Sequence, residues 1–205
     1  MKTNNILSLL DTEVLRDYCA AKTSELLEGE SFQFHDNGSK ILAVAHCDYV
    51  RLPFRFDVDG PIVYSPRLDD RLGVYLIREV LEKIGVVCDW LFTEGEESGC
   101  STAHHFEASK DYHWIIELDR AGTDAVTYSY DEMIPYVEKH FPHGFGSYSD
   151  ISSMRHLGVG AFNAGIGYYQ QHTEACHCDL NTVAQCLEQI ANFYQEFKET
   201  PILHG

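Results

Sequence analysis

The chain has 205 residues, 44% of them apolar and 23% charged, the proportions of a globular protein with a sizeable core. Its formal net charge is −17 and it contains no run of Lys and Arg, so it is not expected to bind nucleic acid or an anionic membrane surface. The residues up to Asp11 hold no long apolar stretch, which predicts neither signal peptide nor membrane span; with an odd seven cysteines, this points to reduced thiols in a cytoplasmic protein.

No repeat, low-complexity tract or Pro/Gly-rich linker interrupts residues 1–205, which therefore read as one domain. Apolar residues at helical spacing predict a first helix over 7–27. Strands follow over 31–35 and 40–46, joined at Asp36-Asn37-Gly38 as a hairpin, and the pattern recurs over 52–58 and 62–64 around Asp59-Gly60. A helix is expected over 69–84, ended by Gly85, and then strands over 86–92, 112–118 and 125–128. A short helix over 133–140, another from about Asp150, a strand over 159–167 and an amphipathic helix over 180–197 complete the chain. Strands alternating with helices imply an α/β sandwich with helices on both faces of one sheet, and the early hairpins make that sheet mixed.

The chemistry-bearing residues stand at or just beyond the ends of these elements, where open α/β sheets bind ligands. His46 and Asp48 follow an apolar strand and share one side of it, so that the carboxylate can orient the imidazole. Asp69 and Asp70 open a helix, where Asp is a good N-cap. Glu96 and Glu97 sit beside Glu94 after a strand; alone they read as a solvated acidic loop. Asp119 ends an apolar strand, and His172-Thr173 follows a late one.

Taken in order, His-x-Asp, Asp-Asp-x-x-Gly, Glu-Glu-x-Gly, a strand-end Asp and a late His-Thr, this series resembles the metal ligands of the M28, M20 and M42 zinc peptidases. It spans most of the chain, from His46 to His172. The resemblance implies a three-layer α/β/α sandwich with a mixed, mostly parallel central sheet, the phosphorylase/hydrolase-like zinc exopeptidase fold, without lid or dimerisation domain. It implies two Zn²⁺, with Co²⁺ or Mn²⁺ as substitutes. Asp69 matches the carboxylate bridging both ions, with a cis peptide bond after it. His46 and Asp119 match the ligands of one ion, and Glu97 and His172 those of the other. Glu96 matches the general base and Asp48 the acid that holds His46. Ser149-Asp150 resembles the Ser-Asp pair of M28 enzymes, with Ile151 where those carry His. The spacing leaves no room for the M42 insertion between His46 and Asp69 or the M20 lid between Asp119 and His172. M28 proportions match best, while Leu68-Asp69-Asp70-Arg71 reads more like M42.

Imidazole and carboxylate suit zinc, and a shared carboxylate can hold two ions roughly 3.5–4 Å apart. The reaction expected is hydrolysis of a small peptide or amino-acid amide, most simply by an aminopeptidase, since acids gathered at the site favour a substrate ammonium. A guanidinium from Arg71 or Arg120 in the pocket would favour a carboxypeptidase or N-acyl-amino-acid deacylase instead. A glutaminyl-cyclase-like or non-catalytic relative keeps a similar series. Cys176-His177-Cys178 offers a competing structural zinc site, but without a second Cys pair at a matching spacing.

Overall fold

Every residue of the strand Ile41–His46 is buried, as befits the middle of a sheet covered on both faces. In the computed structural model, which describes residues 2–205, the helices are α1 (Thr3–Leu7), α2 (Thr12–Ala20), α3 (Thr23–Leu26), α4 (Leu68–Tyr75), α5 (Ile134–Val137) and α6 (Leu180–Phe197). The strands are β1 (Gln33–His35), β2 (Ile41–His46), β3 (Asp57–Asp59), β4 (Ile62–Tyr64), β5 (Asp89–Thr93), β6 (Trp114–Arg120), β7 (Ala125–Val126), β8 (Ala161–Gly165), β9 (Tyr168–Tyr169) and β10 (His177–Asp179). The main sheet has the order β1-β5-β2-β6-β8-β7. Its inner pairs are parallel and its two edge pairs antiparallel, the mixed, mostly parallel sheet expected. A second, antiparallel sheet, β3-β4-β10-β9, lies outside the sequence expectation, because β9 and β10 are too short to show a period.

Alternation along β6 assigns the layers. The Trp114 indole donates to the Phe197 carbonyl of α6 at 3.0 Å, whereas Glu117, three residues on, accepts from Ser149 and from the Asp150 amide on the opposite face. Gln195 of α6 reaches the Gly85 carbonyl, so α6 and the end of the α4 stretch share the first layer. The second layer is thinner and is made largely of short 3-10 turns at Thr102–His105, Asp150–Ser153 and Arg155–Leu157. Among the described residues no helix is long and apolar enough to cross a membrane.

Two local expectations are corrected. The helix expected over 7–27 is instead the last residue of α1 followed by two separate helices, α2 and α3: the Asp11 carboxylate accepts from the Glu13 and Val14 amides, and Glu25 accepts from the Lys22 amide, so a new helix begins at each cap. β1 and β2 do not form a hairpin; β1 pairs with β5, placing Phe34 opposite Leu91. The buried carboxylate of Asp89, at the start of β5, accepts from the Asn37 and Ser39 amides, both at 2.9 Å, and carries the turn across. Lys110 (2.6 Å) and the Tyr112 hydroxyl (2.7 Å) complete the shell of Asp89.

α4 opens in a kink. Asp69 and Asp70 have non-helical angles (ψ 105° and 35°), and the Asp70 carboxylate accepts from the Gly73 amide at 3.0 Å, capping the regular helix. Helix and β6 then meet at Gly73, where an added Cβ would lie 2.0 Å from the Leu118 carbonyl oxygen. Gly73→Ala is therefore expected to lower stability by about 2–3 kcal/mol in chemical denaturation, the usual cost of forced overpacking. A loss below about 0.5 kcal/mol, within the range of an ordinary surface change, would contradict this packing.

Candidate metal centre

The carboxyl ends of β5, β2 and β6 bring the chemistry-bearing side chains to one place. His46 ends β2 and Asp119 stands near the end of β6, while Glu96 and Glu97 form a 3-10 turn just after β5. Asp69 comes from the kinked start of α4 and His172 from the segment between β9 and β10. The Asp69–Asp70 peptide is cis, as the resemblance implies.

The Asp69 carboxylate divides between two groups. Its Oδ1 lies 3.4 Å from His46 Nε2, which is itself 3.4 Å from Asp119 Oδ1. Its Oδ2 lies 3.0 Å from His172 Nε2, which is 3.0 Å from Glu97 Oε2. His46, Asp69 and Asp119 thus form one candidate metal-binding group, and Asp69, Glu97 and His172 the other. The donors fit cations. His46 Nε2 is buried without a hydrogen-bond partner although three carboxylates face it, and Glu97 Oε1 is also buried and unpartnered. An unpartnered buried nitrogen aimed at acids is costly unless something positive lies between them.

The remaining side chains hold these donors in place. His46 Nδ1 lies 3.1 Å from the Asp48 carbonyl oxygen and 3.4 Å from its carboxylate, so Asp48 orients the ring mainly through its main chain. The other Asp48 oxygen accepts from the Glu97 amide at 3.3 Å, tying the two groups together. Tyr168 donates its hydroxyl to the Asp119 carbonyl at 2.8 Å, and the Asp119 amide donates to Asn163 at 3.1 Å. His172 sits in the left-handed region (φ 61°), as does Gln170 (φ 58°); such non-glycine residues cluster at functional sites. Glu96 approaches His46 Nε2 to 3.8 Å and is not part of either group.

The electrostatics follow from crowding acids in a buried place. Burial, helped by Asp150 and Asp69, pushes Glu96 up to about 7. Burial also raises Asp119 well above the usual carboxylate range and raises Glu97. Burial acts to lower His46, but the carboxylates of Asp119, Asp48 and Asp69 outweigh it and hold the imidazole well above its ordinary value. The hydrogen bond to Asp69 is the main cause that lifts His172 to about 9. Without cations the centre thus keeps protons near neutral pH.

Beneath the centre lies a buried layer of which sequence reasoning named Ser149 and Asp150 but missed Glu117 and Thr93. Glu117 accepts from Ser149 and the Asp150 amide, and Thr93 donates to Asp150, with Glu117, Ser149, Asp150 and Thr93 all buried. An acid inside the apolar run Trp114-Ile115-Ile116-Glu117-Leu118 was the available signal. The two arginines behave differently. Arg71 is buried away from the centre, against Thr23 and the Tyr49 ring. Arg120 lines the cleft of about 320 Å³ that opens from the centre, where it is paired with Asp124 through two bonds of 2.7 Å. Glu96 lines that cleft and Glu94 is not among its lining residues. Cys176-His177-Cys178 does not gather as a ligand set: Cys178 faces inward beside Val63, and the His177 ring lies outward against Tyr64 and Tyr169.

No protein-family model matches the chain, and no curated protein matches it in sequence. Solved structures do match. An aminopeptidase from the archaeon Desulfurococcus kamchatkensis superposes with a TM-score of 0.63 at 13% identity, over 90% of this chain and 94% of that one. A tripeptidase from Staphylococcus aureus gives 0.61 at 12% identity, over 92% of each chain. The aminopeptidase PepT from Bacillus cereus gives 0.57 at 12% identity, over 90% and 91%. At these identities the likeness is one of architecture: the chain has the fold of solved aminopeptidases, the fold that its motif series implies.

Proposed function

We propose that residues 1–205 act as one catalytic domain, a two-zinc hydrolase that removes an amino acid from the free N-terminus of a small peptide or amide. The observation that carries this reading is the division of Asp69, one oxygen toward His46 and Asp119 and the other toward Glu97 and His172. On this reading His46 and Asp119 hold one ion, Glu97 and His172 the other, and Asp69 bridges them; Co²⁺ or Mn²⁺ suits the same donors. When bound, such ions polarise the scissile carbonyl and make water acidic enough to lose a proton near neutral pH. Glu96 is the chain's proton carrier: it lines the cleft, coordinates in neither group, and its affinity near 7 suits it to take a proton from water and return it to the leaving amine. Asp48 keeps the His46 ring in orientation. The reducing cytoplasm is the fitting compartment for seven free cysteines, six of them buried.

Substrate polarity follows from charge. The cleft presents Asp69, Glu96 and Asp119, and its one guanidinium, Arg120, is already neutralised by Asp124. A substrate ammonium is favoured there over a free carboxylate. With zinc-loaded protein an aminoacyl-anilide should be cleaved at least about tenfold faster than its N-acetylated form or an N-acyl amino acid. Glu96→Gln should keep its zinc and lose activity by a factor on the order of 10²–10⁴. Faster turnover of a blocked substrate would replace the aminopeptidase reading with a deacylase, in which Arg120 anchors a carboxylate.

The raised affinities also fix a pH dependence. Glu96 binds its proton more tightly in the folded chain, up to about 7 from an ordinary 4.5, and His172 up to about 9 from 6.5. Both contributions favour the folded state at low pH and are lost as pH rises through those windows. Metal-free protein should therefore melt a few degrees lower at about pH 9 than at about pH 6. Zinc should remove the difference, because ions replace the protons. Equal or greater stability of the metal-free chain at the higher pH would contradict the account.

A further inference from the structure

The helical stretch that opens with Asp69 becomes irregular at its far end. The Leu81 amide donates to the Leu76 carbonyl at 3.0 Å, five residues back, so Leu76–Val80 is a single π turn. Turns of this kind are rare and occur frequently at functional sites. Gly85, at φ 82°, then ends the stretch and lets the chain return to β5. Between this end of the stretch and the start of β5 lies a cavity of about 190 Å³, walled by Ile77, Leu81, Val86 and Trp90. The Trp90 ring is fixed there by stacking with His35 and Phe92, at 5.1 and 4.4 Å between ring centres.

The charged side chains lining the cavity are Arg78 and Glu82, one of each sign. Four residues apart on a regular α-helix they would face one another. The π turn and the 3-10 turn after it keep them apart, and among the described residues neither enters an ion pair. Glu79, beside Arg78 in sequence, is engaged elsewhere: it accepts from the Tyr18 hydroxyl at 2.8 Å and lies 4.0 Å from Lys83. The Arg78 guanidinium instead sits 5.8 Å from the centre of the Trp90 ring. This cavity shares no lining residue with the metal-centre cleft. It lies at the amino end of β5, whereas Glu96 and Glu97 follow the carboxyl end of that strand.

We infer that this cavity binds a free α-amino acid with an apolar side chain, such as leucine or phenylalanine. Arg78 takes the carboxylate, for which its fork of donors is suited, and Glu82 takes the ammonium. Ile77, Leu81, Val86 and Trp90 receive the side chain. The volume is below the roughly 300–1,000 Å³ of a drug-sized site, which suits so small a zwitterion and excludes a peptide. The site stands without the hydrolase reading, although a hydrolase of that kind releases molecules of this class.

The test is calorimetry on the full-length protein, metal-free and zinc-loaded, with L-leucine, glycine, L-leucinamide and N-acetyl-L-leucine. Leucine should bind the metal-free chain at least about tenfold more tightly than glycine, because its side chain is buried. Loss of the carboxylate in leucinamide, or of the ammonium in N-acetyl-leucine, should each weaken binding at least about tenfold. Arg78→Met should bind leucine and leucinamide alike, and Glu82→Gln should do the same for leucine and N-acetyl-leucine. Both residues are exposed, so the replacements spare the core. Leucine should also shift the tryptophan emission of the metal-free protein, since Trp90 lines the cavity and the other tryptophan, Trp114, is 1% exposed in the core. Leucine binding that requires zinc, that Arg78→Met leaves unchanged, or that glycine matches overturns the inference. Failure of the zinc-loaded protein to cleave an aminoacyl-anilide would end the hydrolase reading and leave these binding results to decide the site.

Discussion

The architecture depends on putting one carboxylate, Asp69, between two imidazoles. Its oxygens face His46 Nε2 at 3.4 Å and His172 Nε2 at 3.0 Å, and the rest of the site is arranged to make that possible. Asp70 takes over the capping of α4, which leaves the preceding acid free to turn away from the helix axis. Gly73 lets that helix press against β6, bringing Asp69 within reach of Asp119 and His46 at the strand ends. The fully buried β2 fixes His46 at the centre of the sheet. The two plain readings of an Asp pair at a helix start, cap and ligand candidate, are thus divided between neighbours.

The same crowding explains where part of the charge of −17 resides. Asp70, Glu117, Asp119 and Asp150 are all shifted upward, with burial the largest cause in each, because carboxylates in low dielectric near one another resist ionising together. The bonds from Ser149, Thr93 and main-chain amides offset some of this cost, and protons offset more. Divalent ions among the upper acids would offset it further and displace protons as they bind. A fold carrying this much buried acid is easiest to understand as one shaped to hold cations.

The inner strands β2, β5, β6 and β8 and the long helix α6 were legible in the sequence because apolar runs and helical spacing are local properties. The hairpin at Asp36-Asn37-Gly38 was not, since its strand is redirected by Asp89, a residue distant in sequence whose carboxylate captures the turn amides. The first helix broke where Asp11 and Glu25 offered caps that apolar spacing cannot show. At the site, the resemblance of the ordered motif series to zinc peptidases grouped His46, Asp69, Glu97, Asp119 and His172, and the structure brings these five together. The supporting layer of Glu117, Thr93 and Asn163 stayed hidden because these residues sit inside strands that read as plain core. The role of Asp48 also needed coordinates, since its carbonyl rather than its carboxylate lies nearer to His46 Nδ1.

The central claim is that Asp69 bridges two metal ions. Anomalous diffraction at the zinc edge, from crystals of the zinc-loaded protein, addresses it without reference to any substrate. The account predicts two anomalous peaks, one between Asp69 and the His46–Asp119 pair and one between Asp69 and the Glu97–His172 pair, about 3.5–4 Å apart. A single peak, or zinc bound at Cys176 and Cys178 instead, would contradict it.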